Sequence, residues 1–589
     1  MKLSKYILFT SALLVGATAY ADDFDDFGSF GDDTSSGAAS ALEVNGSVDT
    51  EIRAYVDVDE AKAEKVEIDA APSAALELKY SGTKSDLDLS LKIDEDTIKN
   101  HPVDVIDEAV LRSYFGNLTL EAGKMKVVWG KGDKLHVLDN FNADDYSDFI
   151  IPDYLDRRIS TPMVRAVYSL PFANMNLEGV YTPLLPVDRF AADGRWTPAQ
   201  VAALTGAATT SAEMYVKKLV TDCETARTGL AAATTIEKSS QLQAAAASAA
   251  ATEYGNKITE YTNAIAQLKA GIIAAKKAGQ DTSALEAQIQ QATMAIVHCT
   301  AEKTAQEKAA AEYTAAAKNA AAQAADYQNK LTAADTAYTL ALNNVTSVSD
   351  NIYPDLWNLK YGQFGGRATW TLGQIDMGLS YYNGWYKQPS FNAEKLSSFM
   401  SSYLANGTVS EEDKFLAYDK KQTFGLEMSS IIWHFNVRGE FAYNLTDDID
   451  GCDAWVHNNS IAWLGGFDID LPFWNANLNV QETGIFVLHG DECDKNTMDV
   501  DYNKKGYSNN KIVANVTTSF LNDKIAPEVT VMYGIERGDL VVMPKLAFKP
   551  DQNLTLTASG MYIHCADEDS EFYSWRKNSF VSLGASYQF

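Results

Sequence analysis

The sequence predicts a transmembrane antiparallel β-barrel of about 16–18 strands, interrupted by an Ala-rich α-helical coiled-coil hairpin. Three observations carry this. Apolar and polar residues alternate in many short segments, the period of a strand with two unlike faces. The links between those segments alternate short and long, as in barrels that cross a membrane. One block, residues 201–350, breaks the pattern with 43 Ala, five Gly and no Pro, Trp or Phe.

The alternating segments come first. In "DLDLSLKID" Leu87, Leu89, Leu91 and Ile93 share one face, with Asp86, Asp88, Ser90 and Lys92 on the other. "IWHFNVRGEFAYN" places Trp433, Phe435, Val437, Phe441 and Tyr443 opposite His434, Asn436, Arg438, Glu440 and Asn444. The terminal "FVSLGASYQF" sets Val581, Leu583, Ala585, Tyr587 and Phe589 against Ser582, Gly584, Ser586 and Gln588. Aromatic-rich apolar faces combined with charges deep inside the strands suit a barrel with lipid outside and water inside. Short links fall near residues 82–85, 116–117, 172–174, 373–374, 430, 471–475, 522–523 and 550–552. Long ones fall near 58–71, 95–106, 128–161, 184–356, 385–420, 446–457, 489–508 and 564–577. One link, near 534–538, is short where a long one is expected. Pro527 and Pro544 fall within candidate strands, where a missing N–H weakens a ladder, and the alternation slips near Glu482. The pattern therefore admits 16 or 18 strands.

The first 21 residues, "MKLSKYILFTSALLVGATAYA", carry two lysines, an apolar run and a small-residue Ala19-Tyr20-Ala21 site, the layout of a secretory signal peptide. Residues 22–41 begin "DDFDDFGSFGDD" and read as an acidic disordered periplasmic tail. Beyond them no apolar stretch is long enough for a membrane helix. A formal net charge of −30 argues against nucleic-acid binding. The expected organisation is thus signal peptide 1–21, tail 22–41, barrel 42–196 and 350–589, and helical insertion 197–349.

Export, the strand series and the terminal Phe589 together resemble bacterial outer-membrane β-barrel proteins. That resemblance implies a lipid-bilayer partner, and recognition of the last strand, through Phe589, by the barrel-assembly machinery. A narrower segment, "LEAGKMKVVWGKGDKLHVLDNFNADDYSDFIIPDYLDRR", is similar to outer-membrane barrels of the alginate-export-porin type. Its matching positions are Gly123, Lys124, Trp129, Gly130, Asp139, Asn140, Asp145, Arg157 and Arg158. The likeness implies a porin and no particular substrate.

In the Ala-rich block, Ala's helix propensity and the lack of Pro predict helices. "WTPAQ" supplies Thr197 as N-cap and Pro198 as first helical residue. "KKAGQDTSALE" turns the chain, with Gly279 ending one helix and Asp281 or Thr282 capping the next. Leu285, Ile289, Ala292, Ile296 and Cys299 recur at seam spacing. Two helices of about 60 residues would each extend roughly 90 Å, with Gly255 a possible break. Loop parity assigns this hairpin to the cell surface, unless one strand is miscounted and it lies in the periplasm. Residues 197–349 are either a spacer or a projection that binds an external or self-association partner.

Strand parity nominates Arg53, Arg165, Arg367, Arg438, Glu440 and Asp376 as lumen residues that set selectivity, along with Glu51, Glu77 and Glu427. The structural alternative for each is a salt bridge inside the lumen. The long loop 128–161 is expected to fold inward and narrow the pore, with Asp139, Asp144, Asp145, Arg157 and Arg158 as constriction candidates; Asp148 and Asp153 lie on the same loop. Cys452 and Cys493, in adjacent loops, are the favoured disulfide. "TDDIDGCDAWVH" has the glycine of a calcium loop at Gly451 but fails at Thr446 and His457. Neither a catalytic elbow, a metal motif nor a cofactor fingerprint is present. Two functions are consistent with these residues: a channel for small hydrophilic solutes, or a surface adhesin or assembly protein whose barrel anchors the coiled coil.

Overall fold

In the computed structural model, residues 41–56, 67–151, 153–192, 194–345, 347–348, 351–490 and 507–589 are described. The signal peptide, nearly all of the acidic tail, and Cys493 lie outside them.

Eighteen antiparallel strands form one sheet: β1 (Ala41–Tyr55), β2 (Glu67–Ser81), β3 (Ser85–Ile93), β4 (Ile106–Phe115), β5 (Leu118–Met125), β6 (Thr161–Leu170), β7 (Met175–Thr182), β8 (Gln363–Leu372), β9 (Ile375–Trp385), β10 (Lys420–Ile432), β11 (Phe435–Leu445), β12 (Ser460–Asp470), β13 (Asn477–Val487), β14 (Ser508–Thr517), β15 (Ile525–Gly534), β16 (Leu540–Phe548), β17 (Leu554–His564) and β18 (Phe580–Gln588). Each pairs with its neighbours in sequence, and β1 also pairs with β18 from Ser47↔Gln588 to Tyr55↔Phe580. The sheet therefore closes, and a closed sheet leaves no unpaired edge for lipid to meet.

The two faces differ as the alternation requires. Leu583 is 69% exposed and Val48 56% on the outside, whereas Glu427 and Glu440 are buried within. A closed barrel with an apolar exterior and charged interior is built for the outer membrane. Both prolines lie in strands. Pro544 falls in a gap of the β16–β17 ladder between Val542↔Tyr562 and Lys545↔Ser559, and Pro527 lies just beyond the end of the β14–β15 ladder at Thr517↔Glu528. At Glu482 the register does not slip. Glu482 pairs with outward Gly465 and Ile512 and faces lipid, where it accepts the Trp463 indole N–H at 3.1 Å. The apparent irregularity is a charged residue in a lipid-facing position.

The links alternate around the barrel as read from the sequence, with residues 535–539 the one short connection at the long-loop end. The largest link joins β7 to β8 and carries α1 (Ala199–Lys277) and α2 (Ser283–Val345). By chain connection it leaves and re-enters at the long-loop end.

Two compact units result. One comprises the barrel and its inward loops, within Met1–Ala207, Ile352–Lys395 and Lys414–Phe589; the other is Ala208–Asn351 with Leu396–Asp413. In the second unit the helices run antiparallel. Gly271 faces Leu285, Gly255 faces Lys303, Gly229 faces Tyr327, and Cys223 reaches Asp335. Ala212, Leu219, Ala226, Ala233, Ser240 and Ala247 are all buried. Their seven-residue spacing is that of a left-handed supercoil. Part of α3 (Ala393–Asn406) belongs to this unit, with Asn344 Nδ2 donating to Leu404 O at 3.0 Å and Asn351 Nδ2 to Tyr403 Oη at 2.8 Å.

Three details of the hairpin differ from the sequence reading. The helices are 79 and 63 residues long. Helix α1 continues through Gly255, because one glycine costs only about 1 kcal/mol against the many intrahelical bonds around it. Thr197 does not cap: its hydroxyl is buried without a partner among the described residues, and Pro198 O accepts the first helical N–H, from Ala202. The turn does form at Gly279, which has φ +73°, and Asp281 accepts the Ser283 N–H.

Candidate functional site

The barrel interior is divided by the β5–β6 link, residues 126–160, which folds inward and crosses to β11 and β13. Its path follows from its glycines and from inward carboxylate and amide side chains. Gly130 has φ +114°, and a Cβ there would lie 2.3 Å from Glu440 Oε1. Glu440 accepts the backbone N–H groups of Lys131, Gly132 and Val137 at 2.6–2.8 Å. Gln481 Oε1 accepts those of Lys134 and Leu135 at 3.2 Å. Asp133 is held by Asn479 and Arg438. A carboxylate that receives three N–H groups replaces the water those groups would otherwise need.

Beneath this crossing is an apolar cluster of Trp129, Leu138, Phe141, Met163 and Tyr382. Trp129 packs edge-on against Phe141 at 5.0 Å and donates its indole N–H to Glu178 at 2.9 Å. The segment that resembles alginate-export-type barrels is thus the plug of this lumen. Asp139 pairs with Arg158 at 2.5 Å, Arg158 with Asp144 at 3.3 Å, and Asp145 with Arg189 at 3.0 Å. Arg157 donates to Ile150 O. These constriction candidates hold the plug together, and part of it is a small three-stranded sheet with Arg189–Phe190.

The parity-nominated residues all face inward but separate into two groups. Arg53 borders the open part of the lumen, where it binds Asp148 through two contacts of 2.6 and 2.7 Å and Glu51 at 2.8 Å. Arg165 bridges Glu121 and Glu178, Arg367 joins Glu178 and Glu427, and Arg438 joins Asp133 and Asp468. Arg165 and Arg367 are thus paired within the wall, and Arg438 and Glu440 tie the wall to the plug. Asp376 accepts from Thr371 near a short turn. Of the favoured cysteine pair only Cys452 is described. The calcium-like loop uses Asp448 to accept the backbone N–H groups of Cys452 and Asp453.

The open part is a cavity of about 2350 Å³ along β1–β3 and β14–β18. Among the described residues its lining carries sixteen acidic side chains and nine lysines or arginines. Burial raises the Asp148 carboxyl from its ordinary value despite Arg53. Burial also pushes Asp188, on the β7–β8 link, up to about 6, with the Asp144 charge adding to the effect against hydrogen bonds from the Asp144 N–H and Gln388. Sequence reading passed over Asp188, Lys387 and Lys421. They come together only through loop folding, and no local spacing marks them.

No protein-family profile matches the chain, and no curated protein matches it in sequence. Among solved structures it is similar to a BenF-like porin from Pseudomonas fluorescens, with TM-score 0.40 and 8% identity over 94% of this chain and 99% of that one. It is similar also to OccAB3 of Acinetobacter baumannii, with TM-score 0.38 and 8% identity over 93% and 99%. A third is OccK2 of Pseudomonas aeruginosa in complex with glucuronate, with TM-score 0.37 and 7% identity over 93% and 98%. By its own strand topology the chain is an 18-stranded outer-membrane β-barrel protein.

Proposed function

We propose that this protein is an outer-membrane channel for small hydrophilic solutes, with a preference for cations. The observation that carries the reading is the acidic excess lining the off-centre cavity, sixteen carboxylates against nine basic groups among the described residues. Low-dielectric walls bearing one sign of charge concentrate the opposite ion. The plug leaves that cavity open on one side of the barrel and contributes Asp145, Asp148, Asp153 and Asp156 to its lining. No covalent chemistry is needed for this role.

The test is single-channel conductance of the refolded protein in a planar bilayer under a salt gradient. Stable steps that reverse on the cation side support the proposal. Anion-side reversal overturns the selectivity, and a folded barrel that passes no current overturns the channel. Deleting 197–349 separates the second reading: a channel keeps its conductance, whereas an anchored adhesin loses its partner.

A further inference from the structure

A second cavity, of about 220 Å³, lies within the plug where it meets the ends of β9 and β10. Its volume is about seven times the roughly 30 Å³ that one water takes in the liquid. Five lysines or arginines line it, against three aspartates. The aspartates are already engaged. Asp139 and Asp144 both serve Arg158. Asp188 accepts the Asp144 N–H at 3.0 Å and the Gln388 amide at 3.1 Å.

Two ammonium groups are left with neutral partners. Lys387 Nζ donates to Gln363 Oε1 at 2.5 Å and lies 3.4 Å from Tyr382 Oη. Lys421 Nζ donates to Asn140 Oδ1 at 2.8 Å and faces the Tyr386 ring at 5.2 Å. Among the described residues neither has an ion-pair partner, although each carries three N–H donors. The Trp385 indole N–H and Arg158 Nε–H are also buried without acceptors. Burial drives the Lys387 ammonium well below its ordinary value, and the neighbouring Lys421 and Arg158 charges oppose the pull of Asp188 and Asp139. Asp139 Oδ1, Asp144 Oδ1 and His136 Nδ1 also lack a hydrogen bond among the described residues, but both carboxylates are ion-paired with Arg158 through their other oxygens. The unpartnered donors are thus Trp385 Nε1–H and Arg158 Nε–H, beside two lysines with neutral partners only. Such donors cost free energy until an anionic acceptor reaches them.

We propose that this cavity binds one small oxyanion, of carboxylate or phosphate type, through Lys387, Lys421, the Trp385 indole N–H and Arg158 Nε–H. The bound anion ties the plug to the barrel wall, because Asn140 and Arg158 belong to the plug whereas Lys421 is the second residue of β10. It also supplies the counter-charge that favours the ammonium form of Lys387 against its burial. The site does not depend on conduction, so binding can be measured whether or not the barrel passes ions.

The experiment is calorimetric titration of the refolded full chain in detergent with inorganic phosphate and, separately, with acetate, at constant ionic strength in chloride. One saturable site per chain is expected for at least one of them, and which one binds identifies the oxyanion class. Lys387→Met with Lys421→Met should weaken that binding at least tenfold, whereas the turn variant Lys524→Gln leaves it unchanged. Thermal unfolding of the unmodified protein provides a readout that needs no variant, since the binding anion should raise the midpoint over chloride. Absence of saturable binding to either anion, an unshifted midpoint, or equal binding by the double variant overturns the proposal.

Discussion

The Phe589 ring lies against the backbone of Gly46, and a Cβ at Gly46 would fall 2.5 Å from the ring edge. The two residues also exchange both backbone hydrogen bonds, each 2.9 Å. This contact continues the β1–β18 seam that closes the barrel. Gly46→Ala should destabilise the closed form by about 1–3 kcal/mol, the usual cost of overpacking. The Phe589→Ala background should relieve most of that penalty. Midpoints of urea unfolding for the four proteins of this cycle, in lipid, check it; additive losses would show that the ring does not need the glycine.

Glu440 pins the plug. Glu440→Ala leaves three backbone N–H groups without their acceptor, at about 1–3 kcal/mol for each that stays buried. The expected relief is movement of the 126–160 segment away from the wall, with larger and noisier single-channel steps. Glu440→Gln keeps one acceptor oxygen and should fall between the two. An unchanged conductance in Glu440→Ala would mean that the apolar cluster around Trp129 and Phe141 holds the plug alone.

Asp188 should impart an unusual pH dependence. Its carboxyl is raised from 3.8 to about 6 in the folded chain. The folded state therefore binds its proton more tightly than the unfolded state does. From pH about 6 downward toward about 4 this group adds stability on acidification, whereas a salt-bridged carboxylate would remove it. Asp188→Asn should abolish that component of the unfolding profile. It should also flatten any fall in cation preference over the same window.

In the helical unit, Gly229 makes room for Tyr327, whose ring would come within 2.4 Å of a Cβ there. Gly→Ala inside an exposed helix normally gains about 1 kcal/mol. Here Gly229→Ala should instead lower the thermal midpoint of the helical circular-dichroism signal, and Tyr327→Ala should restore the gain. A stabilising Gly229→Ala in the native background would place Tyr327 elsewhere.

The positions of the strands were readable because a strand with lipid on one side and water on the other has to alternate, so 87–93, 433–444 and 580–589 announce themselves residue by residue. The inward set that includes Arg53, Arg367 and Glu440 followed from parity alone. Which of these residues border open space did not. Arg165, Arg367 and Arg438 share a parity with Arg53, yet carboxylates on adjacent or next-but-one strands occupy them, together with Asp133 of the plug. Asp188, Lys387 and Lys421 gave no local signal, because their meeting depends on how two separate links fold back onto the start of β10. Thr197-Pro198 misled for a related reason: packing buried the Thr197 hydroxyl without a partner among the described residues, and the first helical bond runs to Pro198 O.

The sequence by itself determined the barrel, the face of each strand, the alternation of short and long links, and the helical hairpin with its turn at Gly279. These depend on period, propensity and parity, which are local properties of the chain. Only the tertiary structure decided the strand number of 18, the closure of β1 on β18, the crossing of the plug to Glu440 and Gln481, and the pair of lysines left without counter-charges. Each of those depends on which side chains from far-apart segments reach the same enclosed space, where an unpaired charge or N–H is costly and contacts far apart in sequence settle the arrangement.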